Sequence, residues 1–397
     1  MPKPSTATLP RWATDGGANV VEPSSGKKDD GWTVNEKPPA SYFNWLQKMA
    51  YTWLAWLDEV IPDGGPIARV SDNVAHCARN LTLRDSGGYT DDFNGVCFGL
   101  LSGARRFVAA GVDEIMHSID GGKHWASGTG VGAAGIFRAV AFNGTVFVAV
   151  GGASTTPIIY SSADGVAWTS RTPGGTPGGF LTAITWDSTV GLFVAVGTAG
   201  ECQTSPDGVT WTKRTMAAAD DFAGITSRGG TYWAVGDAGS NVGITQRSTN
   251  GTSWTRFTMP AQAGGMTAVT VDDDETILAV GVSAADTAVG FVYASTDDGA
   301  TWAFQASLGD FVPLGVAWLG GVYVACTDSS TSGTFGDSPA VVTSQPDLTQ
   351  EWSYAHAASA QEADGAGAGG TMRAITTDGR KFVVVGSGGT LSDSLTV

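Results

Sequence analysis

Four histidines, four cysteines, a run of three aspartates and a few arginines are the side chains of this 397-residue sequence whose types and spacing could do chemistry. His117 and His124 flank Asp120, an arrangement that would suit a metal if a further ligand stood at proper geometry. The spacing supplies none, so the trio reads as a surface hairpin. Asp272-Asp273-Asp274 lacks the additional carboxylate and carbonyl ligands that calcium takes, and is expected to form a solvated turn. Gly130-Val131-Gly132-Ala133-Ala134-Gly135 fits GxGxxG, but strand patterns flank it and no helix follows to hold a pyrophosphate. Cys77, Cys97, Cys202 and Cys326 stand far apart with no CxxC pair, which predicts reduced, buried thiols. HExxH, GxSxG and phosphate-loop patterns are absent. The sequence therefore points to no catalytic residue, no metal and no cofactor. It leaves a weaker set, Arg138, Arg373 and Asn94, expected side by side at the starts of three strands, where they could bind a carboxylate or an acidic sugar. The alternative is that they satisfy strand-end carbonyls and water.

The elements that would position these residues are set by a recurring turn that ends in tryptophan. Its copies are Ser118 to Trp125 with Asp120, Ser162 to Trp168 with Asp164, Ser205 to Trp211 with Asp207, Ser248 to Trp254 with Asn250, and Ser295 to Trp302 with Asp297. A degenerate sixth runs from Ser344 through Asp347 to Trp352, and the tryptophans fall 43, 43, 43, 48 and 50 residues apart. A fixed period of this length marks a repeat architecture. Asp or Asn can accept bonds from the N–H groups ahead of it, Gly supplies the positive φ, and Ser locks the first arm. The tryptophan is expected to fold over its own hairpin as a small satellite core, its indole N–H free to reach a carbonyl.

Between these turns lie seven apolar runs, Phe107–Ala110, Phe147–Val150, Phe193–Val196, Tyr232–Val235, Ile277–Val280, Val322–Ala325 and Phe382–Val385, suited to strands buried on both faces. Innermost strands are expected to begin near Asn94, Arg138, Thr182, Ala223, Thr267, Leu314 and Arg373. The prediction is a mainly β, seven-bladed β-propeller over residues 78–397. Its last blade would be closed by an outer strand from 78–85 at the front of the chain, which leaves no open edge. The longest loops on one face, Ala284–Val289, Thr327–Ala340 and Tyr354–Gly370, are candidates for recognition, and their composition suits a spacer equally well.

The turn resembles the Asp-box, or bacterial neuraminidase repeat, of propeller blades; residues 118–125 and 295–302 match its spacing in full. The resemblance implies a propeller with the turns at its periphery, away from any ligand face. It also raises a sialidase-like glycan hydrolase as an alternative. That family grips its sugar with three arginines and uses a tyrosine and glutamate pair, whereas only Arg138 and Arg373 stand at the expected channel lip and the Arg-Ile-Pro motif is absent. Photosystem assembly factors are a further group of similar propellers.

Ahead of the strands, residues 1–37 read as extended loop, and Pro38-Pro39 introduces one helix at about 39–61. Tyr42, Phe43, Trp45, Leu46, Met49, Trp53, Trp56, Leu57 and Val60 form its apolar stripe. Asn44, Gln47, Lys48 and Thr52 interrupt it, which excludes a membrane span. The stripe is expected to pack against other chains, in a homo-oligomer such as a trimer or in a larger assembly, with packing on its own propeller as the alternative, and residues 62–77 read as a linker. The run Gly26-Lys27-Lys28-Asp29-Asp30-Gly31-Trp32, then Glu36-Lys37-Pro38-Pro39, then Tyr42-Phe43-Asn44-Trp45-Leu46 resembles the N-terminal segment of bacteriophage tail-fibre and related virion proteins. The resemblance covers residues 10–60, implies membership in a virion, and argues against an assembly factor.

Composition agrees with many short strands: Gly is 56 of 397 and charged residues are 15%. The net charge is −16; residues 1–60 carry six Lys/Arg against seven Asp/Glu, so the rest holds −15 and no basic stripe for nucleic acid. No apolar signal segment is visible at the N-terminus, which predicts synthesis in a host cytoplasm. The combined expectation is a virion structural protein of the tail-fibre, receptor-binding type, joined to other virion proteins through residues 1–61. It would display its propeller to a host-surface glycan or protein. The alternatives are the glycan hydrolase and a capsid-decorating head fibre with no receptor role.

Overall fold

A strand buried on both faces must be apolar at every position, and the runs at Phe107–Ala110 and its six counterparts meet that demand. In the computed structural model they form the second strands of seven four-stranded antiparallel sheets. The described residues are 82–83, 91–132, 135–328, 340–344, 353–356, 371–379, 381–387 and 391–396. The expected helix at 39–61 with Trp32 and its apolar stripe, the linker, the sixth turn through Trp352, Cys77 and most of two long loops lie outside them. Residues 68–397 form one compact unit.

The innermost strands are Phe93–Leu101, Phe137–Phe142, Leu181–Asp187, Asp221–Arg228, Ala263–Val271, Pro313–Leu319 and Met372–Thr377. Each pairs with the second strand that follows it. Side chains of a strand alternate between faces, and the second strand of blade one divides accordingly. Phe107 and Ala109 pack with Val383 and Val385 of blade seven, while Val108 and Ala110 pack with Phe137 and Phe147 of blade two. Such a cluster fills the space between every neighbouring pair of blades, the seventh against the first included, so the ring is closed. Each fully buried Phe or Val is worth roughly 1.5–3 kcal/mol. A neutral hydrogen bond nets only about 0.5–1.5 kcal/mol, so these clusters outweigh the polar contacts between blades.

Closure uses the front of the chain. The seventh sheet runs from Met372–Thr377 through Lys381–Gly386 and Leu391–Thr396 to Thr82–Leu83. Thr82 lies opposite Asp393 and Leu83 opposite Ser392. The described closing strand is thus two residues within the expected 78–85.

The recurring turn differs from expectation in what it packs against. Inside each turn the bonds are as its residue types require. In blade three, Asp207 Oδ1 accepts the N–H groups of Val209 and Thr210 at 2.8 Å, and Gly208 N donates to Ser205 Oγ at 2.8 Å. Asp164, Asn250 and Asp297 serve equivalent turns, as does Asp120. The tryptophans, however, form no satellite core. Trp125, Trp168, Trp211, Trp254 and Trp302 sit in the clusters between blades and are at most 9% exposed. The physical reason is the turn glycine, which lets the hairpin press against the preceding blade. A Cβ on Gly165 would meet Arg106 and Val108, and one on Gly208 would meet Val148. Cross-blade donors complete the clasp: Lys381 Nζ to Gly121 O at 2.5 Å, Trp233 Nε1 to Asp298 O at 3.0 Å, and Arg106 Nη1 to Asp164 O. The indole N–H reaches a carbonyl of its own turn in Trp125 and Trp211, and in Trp168 and Trp302 it does not.

Candidate functional site: the channel lip

Every innermost strand carries a bulge at the same place. In blade one Phe93 pairs with Gly111 and Gly95 with Ala110, so Asn94 is skipped. The skipped residues of the other blades are Arg138, Thr182, Ala223, Thr267, Leu314 and Arg373. A bulge leaves the extra residue unpaired and re-aims its side chain, and these seven line one cavity of about 220 Å³ on the ring axis. Glycine in the second strand makes room for it. A Cβ on Gly151 would collide with Ile136 O, and one on Gly197 with Phe180 O.

Three of the seven act as straps. Asn94 Nδ2 donates to Phe137 O at 2.9 Å, Thr182 Oγ1 to Phe222 O at 2.5 Å, and Thr267 Oγ1 to Pro313 O at 2.6 Å. Each acceptor is the residue just before the next blade's bulge, so each side chain ties one blade to its neighbour. Asn94 thus satisfies a strand-end carbonyl of the next blade.

The two arginines differ. Arg373 donates to Asn94 Oδ1 at 3.0 Å and to Asp92 Oδ2 at 2.8 Å, which sets a carboxylate against its charge. Arg138 makes no hydrogen bond or ion pair with any described residue. Its guanidinium carbon stands 4.5 Å from the centre of the Phe180 ring, and its Nε is buried without a partner. Burial, and then the charge of Arg373, hold the Arg138 pKa below the ordinary arginine value. The structure thus brings all three to one cavity: Arg373 is bonded to Asn94, while Arg138, close enough to feel the Arg373 charge, rests on the Phe180 ring without a hydrogen bond. Asp92 and Phe180 were not singled out in the sequence. Both occupy the position two before a bulged residue, and only the register makes that equivalence visible.

The other candidates resolve into structure. His124 Nδ1 lies 2.5 Å from Asp120 Oδ2, and no group of three His, Cys, Asp or Glu among the described residues is arranged to hold a metal. The acidic run forms a turn in which Asp273 and Asp274 are exposed, as expected, while Asp272 is only 4% exposed, accepts Thr276 N at 2.7 Å, and takes the Tyr323 hydroxyl of blade six at 2.6 Å. Trp318 of blade six donates to Asp273 Oδ2 at 3.0 Å, so the acidic run bridges two blades. Cys97, Cys202 and Cys326 are free and buried, and burial pushes the Cys202 and Cys326 thiols up to about 12. The Ala284–Val289 loop is tied down by Asn241, whose Nδ2 donates to Ser283 O at 2.8 Å, and by its own Asp286.

No protein-family model and no curated protein sequence matches the chain. Solved structures do. YCF48 bound to D1 peptide superposes with a TM-score of 0.59 at 17% identity, covering 80% of this chain and 95% of that one. The fold is a β-propeller. YCF48 from Cyanidioschyzon merolae gives 0.56 at 14% identity, covering 79% and 98%. The WD40 β-propeller domain of Doa1 gives 0.54 at 9%, covering 79% and 94%. At these identities the likeness speaks for the propeller architecture alone. In the propeller the lip is the end where blades cross over; the tryptophan turns stand at the other end, beside the starts of the second strands.

Proposed function

We propose that the chain is a bacteriophage virion protein of the tail-fibre, receptor-binding type, in which residues 1–61 join other virion proteins and the propeller binds a host-surface glycan or protein. The observation that carries this reading is the ordered run Gly-Trp, Glu-Lys-Pro-Pro and Tyr-Phe-Asn-Trp-Leu between Gly26 and Leu46. The propeller suits the display half of the role. Its closed ring has apolar packing at every blade interface, which gives a rigid platform whose channel lip can be varied one side chain at a time. The tryptophan turns also fit the Asp-box description in residue order and bonding. Binding is favoured over glycan hydrolysis because Asp92, a carboxylate bonded to a lip arginine, is already engaged by Arg373, and the sequence offers no tyrosine and glutamate pair of the kind the sialidase family uses. YCF48, which shares the fold, has been solved bound to D1 peptide, and that is consistent with a propeller of this shape serving as a binding module.

The test is particle composition. A chain lacking residues 1–61 is expected to be absent from purified particles while the full chain is present, as read by immunoblot and by density in particle images. Incorporation of the shortened chain at the full-length level would end the attachment reading.

A further inference from the structure

Resting on the host-surface reading above, we infer that the lip around Arg138 is a binding site for the carboxylate of a single acidic sugar, with Arg138 as the charge that receives it and Phe180 as the apolar face beside it. The charge balance at the lip is the first reason. Arg373 already has Asp92 at 2.8 Å and Asn94 at 3.0 Å, so its charge is met within the protein. Arg138 has no such partner among the described residues: its guanidinium meets only the Phe180 ring, and its Nε, like that of Arg373, is buried unbonded. A half-buried cation left in this state costs free energy that an incoming anion recovers.

Fit is the second reason. The cavity holds about 220 Å³, below the roughly 300–1,000 Å³ of sites for drug-sized ligands, which suits one ring and excludes a folded-back chain. Aromatic surface is the third. Phe180 lies under the guanidinium at 4.5 Å and is half-buried beside the cavity rather than in its lining, so what it offers a ligand held at the cation is the part of its ring that the guanidinium leaves open. A sugar acid presents this combination of one carboxylate and one apolar ring face. The surrounding −15 charge adds selection, since it repels a densely charged polyanion while leaving one local cation for an isolated carboxylate.

The test is calorimetric titration of the full-length protein with D-glucuronate, with D-glucose as the neutral control and N-acetylalanine as the mimic of a peptide terminus. Saturable glucuronate binding is expected, with none for glucose and weaker binding for N-acetylalanine. Arg138→Ala should weaken glucuronate binding about tenfold or more, because a charge-assisted bond is lost. Arg138→Lys should restore part of it, and Lys123→Ala, which removes an equal charge from a turn at the other end of the ring, should leave it unchanged. Circular dichroism and melting of each variant check that the ring is intact. Glucuronate binding that survives Arg138→Ala in a folded protein, N-acetylalanine binding as tightly, or no glucuronate binding to the wild type would each overturn the inference. Adsorption of the full chain to host cells is read separately. Adsorption without glucuronate binding rejects the lip site and keeps the host-surface reading, whereas glucuronate binding without adsorption rejects that reading.

Discussion

A carboxylate that collects several N–H bonds holds its negative charge to low pH, and the turn aspartates do this in the open. The N–H of Thr210, aided by those of its neighbours and the Ser205 hydroxyl, holds Asp207 below the usual carboxylate range. The hydroxyl and N–H of Thr301, with the Ser295 hydroxyl, hold Asp297 at about 2. A depressed folded pKa contributes stability that is complete above the unfolded value of about 3.9 and fades as pH falls through the folded one. The melting temperature should therefore hold steady from neutral pH down to about 5 and decline between about 4 and 2. In the double variant Asp207→Asn, Asp297→Asn that decline should be shallower, since Asn250 already serves the same turn without titrating. An unchanged decline would mean that the turns do not carry the acid response. Gly197 makes a different residue-scale case. Gly197→Ala would drive a Cβ into Phe180 O, with an expected cost of about 1–3 kcal/mol by urea unfolding. Because Phe180 is the face under Arg138, the same variant should also weaken glucuronate binding.

At the scale of elements, the tryptophan turns do more than fold a hairpin back. Trp168 shares its cluster with Val108 and Ala110 of one blade and Phe137 and Phe147 of the next. Its removal opens a cavity between sheets, and Trp168→Ala should cost about 3–5 kcal/mol, measured by urea unfolding. A loss under about 1 kcal/mol would restore the satellite reading, in which the ring merely covers its own hairpin. Legibility from sequence followed the same line. The second strands were readable because their burial on both faces imposes an apolar run, and the lip positions followed by counting back from them. The role of the tryptophans was not readable. Periodicity gives the spacing of a turn and says nothing about which neighbour its glycine lets it touch. In the acidic run the exposed turn at Asp273 and Asp274 was legible, but the burial of Asp272 was not, because it depends on the Tyr323 hydroxyl of the neighbouring blade.

For the whole molecule, the candidate site was half legible. The residue types and their placement on one ring of strand starts came from the sequence, but which arginine is neutralised depends on Asp92, and which is left over depends on Phe180. Both effects arise from register, a property that no single strand's pattern contains. Ring closure gives another prediction at this scale. Deleting residues 78–85 should lower the melting temperature and promote self-association, because the exposed edge of Leu391–Thr396 would then seek a partner. Light scattering and melting would check it, and a variant with the parent's mass in solution and the parent's stability would show that the strand is dispensable.

Thr82–Leu83 and its partner Leu391–Thr396 stand at nearly opposite ends of the described sequence. Translation proceeds from the first of these segments to the last, so the ring cannot shut until its final residues have left the ribosome. Up to that moment six sheets can form by local pairing, while one flank of the first blade and the waiting segment stay unsatisfied. Folding is thereby divided into a fast local phase and a single late latching step, and it is during that interval that the nascent chain is most exposed to misassembly with its neighbours.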